Sequence, residues 1–257
     1  MATPASRILV VYIADPAADG QASAAPLDAV TARGSSGFLI LPENQDKLHA
    51  LLGVDTEASE RSGMFPYPTM PITLFSDSPA ACESVKALGV SDVREISSSE
   101  PHDALAARIA YLLHLHDPKT KQLVVVHLTQ YQADHWVFKL VEKLLGSKEA
   151  AASANDCFVS IVRTAQRPHE ISPELAAHPL RPRQSFERHH GKYGDTGKPP
   201  LQRLLVSSFH SDRTRCDLAT RFDEREIEAL GAYGAMDARI FMKEMAFRLG
   251  FAPKYGA

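Results

Sequence analysis

Short runs that are apolar at nearly every residue recur along the chain, separated by stretches with helical periodicity. The runs are Ile8 to Ile13, Phe38 to Leu41, Ile72 to Phe75, Leu123 to Leu128, Phe158 to Val162 and Leu204 to Ser208. A strand covered on both faces reads this way, whereas a half-solvated strand alternates. Ser78 followed by Pro79 predicts an N-cap and first helical position for a helix that runs to about Leu88 and stops at Gly89. A second helix is predicted from His102 to His116, with Leu105, Ile109, Leu112 and Leu113 on one face. A third follows Asp134 through Val137, Leu140, Val141 and Leu144 to Gly146, and a last one spans Ala235 to Leu249 with a stripe of Phe241, Met242, Met245 and Leu249. Between Phe75 and Leu123 there is room for a further short strand near Val93.

Alternation of buried strands with crossovers of this length predicts an α/β fold with a doubly wound, mostly parallel sheet and helices on both faces. The 257 residues can build a single domain of this kind. Two stretches interrupt the rhythm, about 54–71 and 168–203, and their Ser, Pro, Gly and charged residues predict long loops.

Composition narrows the function classes. With 28 basic and 31 acidic residues and a formal charge of -3, nothing points to nucleic acid or to an anionic membrane surface. No apolar run approaches the ~18 residues of a membrane span. Cys82, Cys157 and Cys216 are odd in number and widely spaced, as free thiols in a reducing compartment would be. The chain enters its first predicted strand with no room for a signal peptide. A cytoplasmic protein is therefore expected, with neither nucleic acid nor membrane as partner.

Several segments carry candidate chemistry. The first strand ends Ala14-Asp15-Pro16-Ala17-Ala18-Asp19 and is followed by Pro26-Leu27-Asp28-Ala29. The fourth continues His127-Leu128-Thr129-Gln130-Tyr131-Gln132-Ala133-Asp134-His135-Trp136, where Asp134 also suits an N-cap. The fifth opens into Arg163-Thr164-Ala165-Gln166-Arg167-Pro168. Near the end stand Asp217-Leu218-Ala219-Thr220-Arg221-Phe222-Asp223-Glu224 and a terminal Lys254-Tyr255-Gly256-Ala257. In this order the segments resemble the archaeal-type cofactor-independent phosphoglycerate mutases of the alkaline phosphatase superfamily.

The resemblance implies an alkaline-phosphatase-like core spanning 1–257, from which the substrate-closing cap domain has been lost. It places Asp15, Gln132, Trp136, Gln166 and Arg167 at the ancestral pocket. Only Asp15 keeps the residue type of a metal ligand: Gln132 and Trp136 replace an Asp and a His, and so do Gln166 and Arg167. An amide and a permanent cation cannot take the place of a carboxylate and an imidazole around a divalent ion. The family's nucleophilic serine also has no clear counterpart.

The expectation is a non-catalytic descendant with no cofactor, acting as a binding, regulatory or assembly subunit with another protein or a second copy as partner. Two alternatives stand beside it. One is an active mutase or phosphatase holding Mn or Zn through Asp15, Asp19, Asp134 and His135. The other is a binder of a small phosphorylated ligand that uses Arg163, Arg167, Arg181 and Arg183, whose planar forks suit phosphate. Scattered surface ion pairs would account for the same arginines.

Overall fold

The computed structural model describes residues 5–14, 25–55, 63–113, 120–129, 136–146, 157–169, 201–210 and 216–253. In chain order these form β1 (Arg7–Ile13), α1 (Ala25–Arg33), β2 (Ser35–Ile40), α2 (Lys47–Leu51), β3 (Ile72–Ser76), α3 (Pro79–Ala87), β4 (Asp92–Glu95) and α4 (His102–Leu113). There follow β5 (Gln122–Leu128), α5 (Trp136–Gly146), β6 (Cys157–Thr164), β7 (Arg203–Phe209), α6 (Glu224–Leu230), β8 (Gly234–Asp237) and α7 (Ala238–Arg248). The strands make one eight-stranded sheet in the order β4-β3-β5-β1-β6-β7-β2-β8.

Every pairing among the described strands is parallel except those of β7, which runs antiparallel to both β6 and β2. Successive residues of a strand point to opposite faces, so β1 divides the core in two. Leu9, Val11 and Ile13 pack with apolar residues of α1, α4, α5 and α6, including Val30, Ile109, Val141 and Ile227. Ile8, Val10 and Tyr12 belong to the opposite layer with Leu48, Val85, Phe241 and Met245 of α2, α3 and α7. The doubly wound α/β sheet with helices on both faces is thus present as expected.

Ser78 caps α3 by accepting the Ala81 N–H at 3.3 Å, with Pro79 next in the chain. The final helix starts later than its periodicity suggests. Gly234 to Asp237 pair with β2 as β8, and Asp237 caps the helix by accepting the Arg239 N–H at 2.9 Å. Gly37 lies opposite Gly234 in that ladder, and a Cβ on Gly37 would meet the Gly234 carbonyl oxygen at 2.5 Å. The three cysteines are free, Cys82 and Cys157 buried and Cys216 exposed. Among the described residues no helix is long and apolar enough to cross a membrane.

Candidate functional site

The chain leaves β3 through α3 and returns outward as β4, whereas it leaves β5 through α5 and crosses β1 to become β6. Adjacent parallel strands whose connections depart in opposite directions open a crevice at their carboxyl ends, where α/β proteins bind ligands. A cavity of about 580 Å³ lies there. Tyr12 and Ala14 at the end of β1 and His127 of β5 form its floor. Asp46, Lys47 and His49 at the start of α2, and Ser78, Ala80, Ala81 and Ser84 of α3, form its walls, with Gln45 and Gln202 at the rim.

Strand register builds the floor. His127 is the register partner of Ser76 on one side and of Tyr12 on the other, so three side chains sit at one level across β3, β5 and β1. The His127 Nδ1 and Ser76 Oγ are 2.8 Å apart, and Ser76 Oγ also accepts the Ser78 N–H at 3.1 Å. The Tyr12 and His127 rings are tilted by 32° with centroids 5.4 Å apart. Asp77 bridges the two strand ends by accepting the Thr129 N–H at 2.9 and 3.0 Å.

Burial holds the His127 imidazole below its ordinary pKa, against the pull of the Asp77 and Asp46 charges. Burial likewise pushes the Tyr12 phenol up to about 12, so it stays protonated at neutral pH. On the wall, Asp46 caps α2 by accepting the His49 N–H at 3.0 Å, and His49 Nε2 lies 2.6 Å from Ser84 Oγ. The first turn of α3, Lys47 and two imidazoles therefore face one space, with the Asp46 carboxylate among them. Such a setting favours an anion.

The positions singled out in the sequence fall elsewhere or outside the described residues. Asp15, Asp19, Gln132, Asp134, His135, Arg181 and Arg183 lie outside them. Trp136 is buried at the start of α5, its ring 6.4 Å from that of His102. Arg163 stacks over Phe222, 5.4 Å from the ring centroid. Gln166 and Arg167 come together at the end of β6, where both backbone N–H groups donate to Glu224 of α6, at 3.0 and 3.2 Å.

Arg203, whose side chain is only 2% exposed, completes the lock on α6. It donates to Glu224 at 2.8 Å, to Glu228 at 3.1 Å and to the Arg167 carbonyl at 3.0 Å, and lies 4.0 Å from the Phe38 ring centroid. Arg167 itself reaches Glu228 at 2.6 Å. The end of β6 is thus joined to α6 by a compact ionic cluster.

Sequence reasoning missed Tyr12, His49, Ser84 and His127 as one site. The available signal was a polar residue one place before the end of each of two apolar strands, Tyr12 in β1 and His127 in β5.

No protein-family model matches the sequence, and no curated protein matches it either. Solved structures do resemble it. The PH0037 protein from Pyrococcus horikoshii aligns over 100% of both chains, with 13% identity and a TM-score of 0.52. Murine ectonucleotide pyrophosphatase/phosphodiesterase 5, solved as an inactive mutant with AMP, aligns over 98% of this chain and 97% of its own, at 9% identity and a TM-score of 0.49. Alkaline phosphatase from the Antarctic bacterium TAB5 aligns over 97% of this chain and 99% of its own, at 8% identity and a TM-score of 0.46. At these identities the likeness is one of fold alone.

One expectation is corrected by these neighbours. A mutant of the TAB5 phosphatase was solved with Mg bound, so a protein of similar fold hosts a divalent ion and the expectation of no cofactor does not stand. The described residues do not themselves supply such a centre. Among them no group of three or more His, Cys, Asp or Glu side chains could hold a metal. Glu224, the carboxylate that accepts the Gln166 N–H, is already engaged by Arg203 and two backbone N–H groups.

Proposed function

We propose that this chain is a non-catalytic relative of phosphoryl-transfer enzymes, resembling the archaeal-type phosphoglycerate mutases, that binds a small phosphorylated ligand as a binding or regulatory subunit. The observation that carries the reading is the cavity at the carboxyl ends of β1 and β5. Its volume of about 580 Å³ suits a metabolite-sized ligand. Lys47, the donor groups of His49 and His127 and the first turn of α3 give it an anion-seeking character that works against the Asp46 carboxylate in the same wall. The cluster at the end of β6 supports the non-catalytic part, because Gln166 and Arg167 serve there to hold α6.

The test pairs calorimetry with an activity assay. Phosphorylated metabolites are expected to give a saturable heat that Lys47→Ala and His49→Ala each weaken. Phosphomonoesters incubated with the protein and Mg, Mn or Zn are expected to remain intact. Turnover proportional to protein concentration would overturn the non-catalytic reading, and absence of any binding heat would overturn the binding reading.

A further inference from the structure

Most buried polar groups of this fold are spent within it. Arg239 is taken up by Asp237 at 2.7 Å and Asp55 at 3.1 Å. The buried hydroxyls of Ser36 and Ser207 bind each other at 2.6 Å. His127 differs. It is 5% exposed, and its Nδ1 is engaged, but its Nε2 has no hydrogen-bond partner among the described residues while its side chain lines the cavity.

The protonation of that ring is tied to Ser76. Ser76 Oγ accepts the Ser78 N–H at 3.1 Å, so the hydroxyl's own proton must point elsewhere. Its remaining partner is His127 Nδ1 at 2.8 Å. If Ser76 gives that proton to Nδ1, the proton of the neutral imidazole resides on Nε2; if Nδ1–H instead donates to the second lone pair of Ser76 Oγ, Nε2 is an acceptor. The relay begins at the N-cap of α3, passes through a buried hydroxyl on β3 and ends on β5. Tyr12 flanks the ring and limits its rotation.

We propose, resting on the binding reading above, that Ser76 donates its hydroxyl proton to His127 Nδ1 and that His127, as the specificity-determining residue of the cavity, thereby presents an Nε2–H donor to an oxyanion of the ligand. A neutral N–H of this kind donates and cannot accept. The group it suits is the ionised phosphate of a monoester, all of whose non-ester oxygens are acceptors, in preference to an ammonium or amide N–H. Burial, which disfavours the imidazolium, keeps the donor neutral.

The experiment is nitrogen-15 NMR of the full chain labelled at histidine, with inorganic phosphate as the probe and His127→Phe to identify the resonance. The free protein is expected to show His127 as the Nε2–H tautomer near neutral pH, and phosphate should shift its Nε2 signal saturably. His127→Phe should weaken phosphate by at least about tenfold, as loss of a hydrogen bond to a charged group does. Ser76→Ala should let the Nδ1–H tautomer appear and weaken phosphate as well. An Nδ1–H tautomer in the unmodified protein, or phosphate that binds by calorimetry while Nε2 stays unmoved, overturns this proposal alone. A protein that takes up no phosphate at all overturns the binding reading, and the proposal with it. If His127→Phe folds poorly, His127→Gln identifies the resonance instead, and the measurement on the unmodified chain then decides the matter.

Discussion

Replacing Arg203 by Met should be among the most damaging single changes outside the apolar core. The guanidinium is 2% exposed on its side chain and donates to Glu224, Glu228 and the Arg167 carbonyl, at 2.8, 3.1 and 3.0 Å. Methionine fills much of the volume over Phe38 but leaves the buried Glu224 carboxylate with two backbone N–H groups and the more distant Arg167, 3.6 Å away. Removing one member of a buried ion pair costs about 3–5 kcal/mol, and the surviving N–H donors place this case near about 3. In a chain of this size that is a fall of about 6–12 °C in Tm. Glu228→Gln should cost less than about 1 kcal/mol, because that carboxylate is half exposed and solvent screens it. The assay is urea unfolding of Arg203→Met, Glu224→Gln and the double variant, read as a cycle. Arg203 and Glu224 should couple by more than about 1 kcal/mol. A loss under about 1 kcal/mol for Arg203→Met, with additive behaviour in the double variant, would refute the claim that this cluster holds α6 to the end of β6.

Three further expectations follow from the packing and titration of other groups. Ser207 Oγ meets Ser36 Oγ at 2.6 Å and Thr31 Oγ1 at 3.0 Å in a buried hydroxyl cluster, so Ser207→Ala should cost about 1–3 kcal/mol in chemical denaturation. Gly37→Ala would drive a Cβ to 2.5 Å from the Gly234 carbonyl oxygen and 2.7 Å from the Tyr233 Cβ, and should cost about 1–3 kcal/mol and loosen β8 first, read by amide exchange at its backbone. Burial depresses the His127 pKa, so the unfolded chain binds a proton more readily there. The associated stability is present above about pH 6.5, the ordinary histidine value, and is lost as pH falls through the depressed one. The urea midpoint should therefore drop more steeply between about pH 7 and about pH 5 in the unmodified protein than in His127→Phe, and parallel slopes would contradict the assignment.

Much of the architecture is legible in the amino-acid order, because a strand buried on both faces leaves an unbroken apolar run. The six runs each correspond to a strand of the sheet, and Ser78-Pro79 marks the start of α3 within a residue. β8 is harder to see, since three of its four residues are partly or fully exposed and it lies where a helical stripe begins. α1, α2 and α6 are short and lack a clear apolar period, and tertiary contacts define them. The antiparallel direction of β7 is also invisible, because direction depends on where the preceding connection returns and not on the residues of the strand. The site escaped for a related reason. Its floor comes from three strands aligned by register, and Ser76, His127 and Tyr12 are far apart in sequence, so no motif spacing connects them. Resemblance drew attention to Gln166 and Arg167, whose contacts are with Glu224 and Glu228.

Because β7 returns antiparallel beside β6, the chain leaves and re-enters the sheet at the same end of its strands, and His169 and Leu201 are joined there by an N–H to carbonyl bond of 2.6 Å. The two ends of the 170–200 stretch, His169 and Leu201, thus already touch. A four-residue Gly-Ser bridge could be spliced across them, and by closure entropy alone the shortened chain would gain about 1–2 kcal/mol. Such a trimmed protein, which lacks Arg181 and Arg183 but keeps the β1–β5 crevice, offers a minimal scaffold for grafting and for separating what the excised arginines contribute to anion capture from what the sheet itself provides.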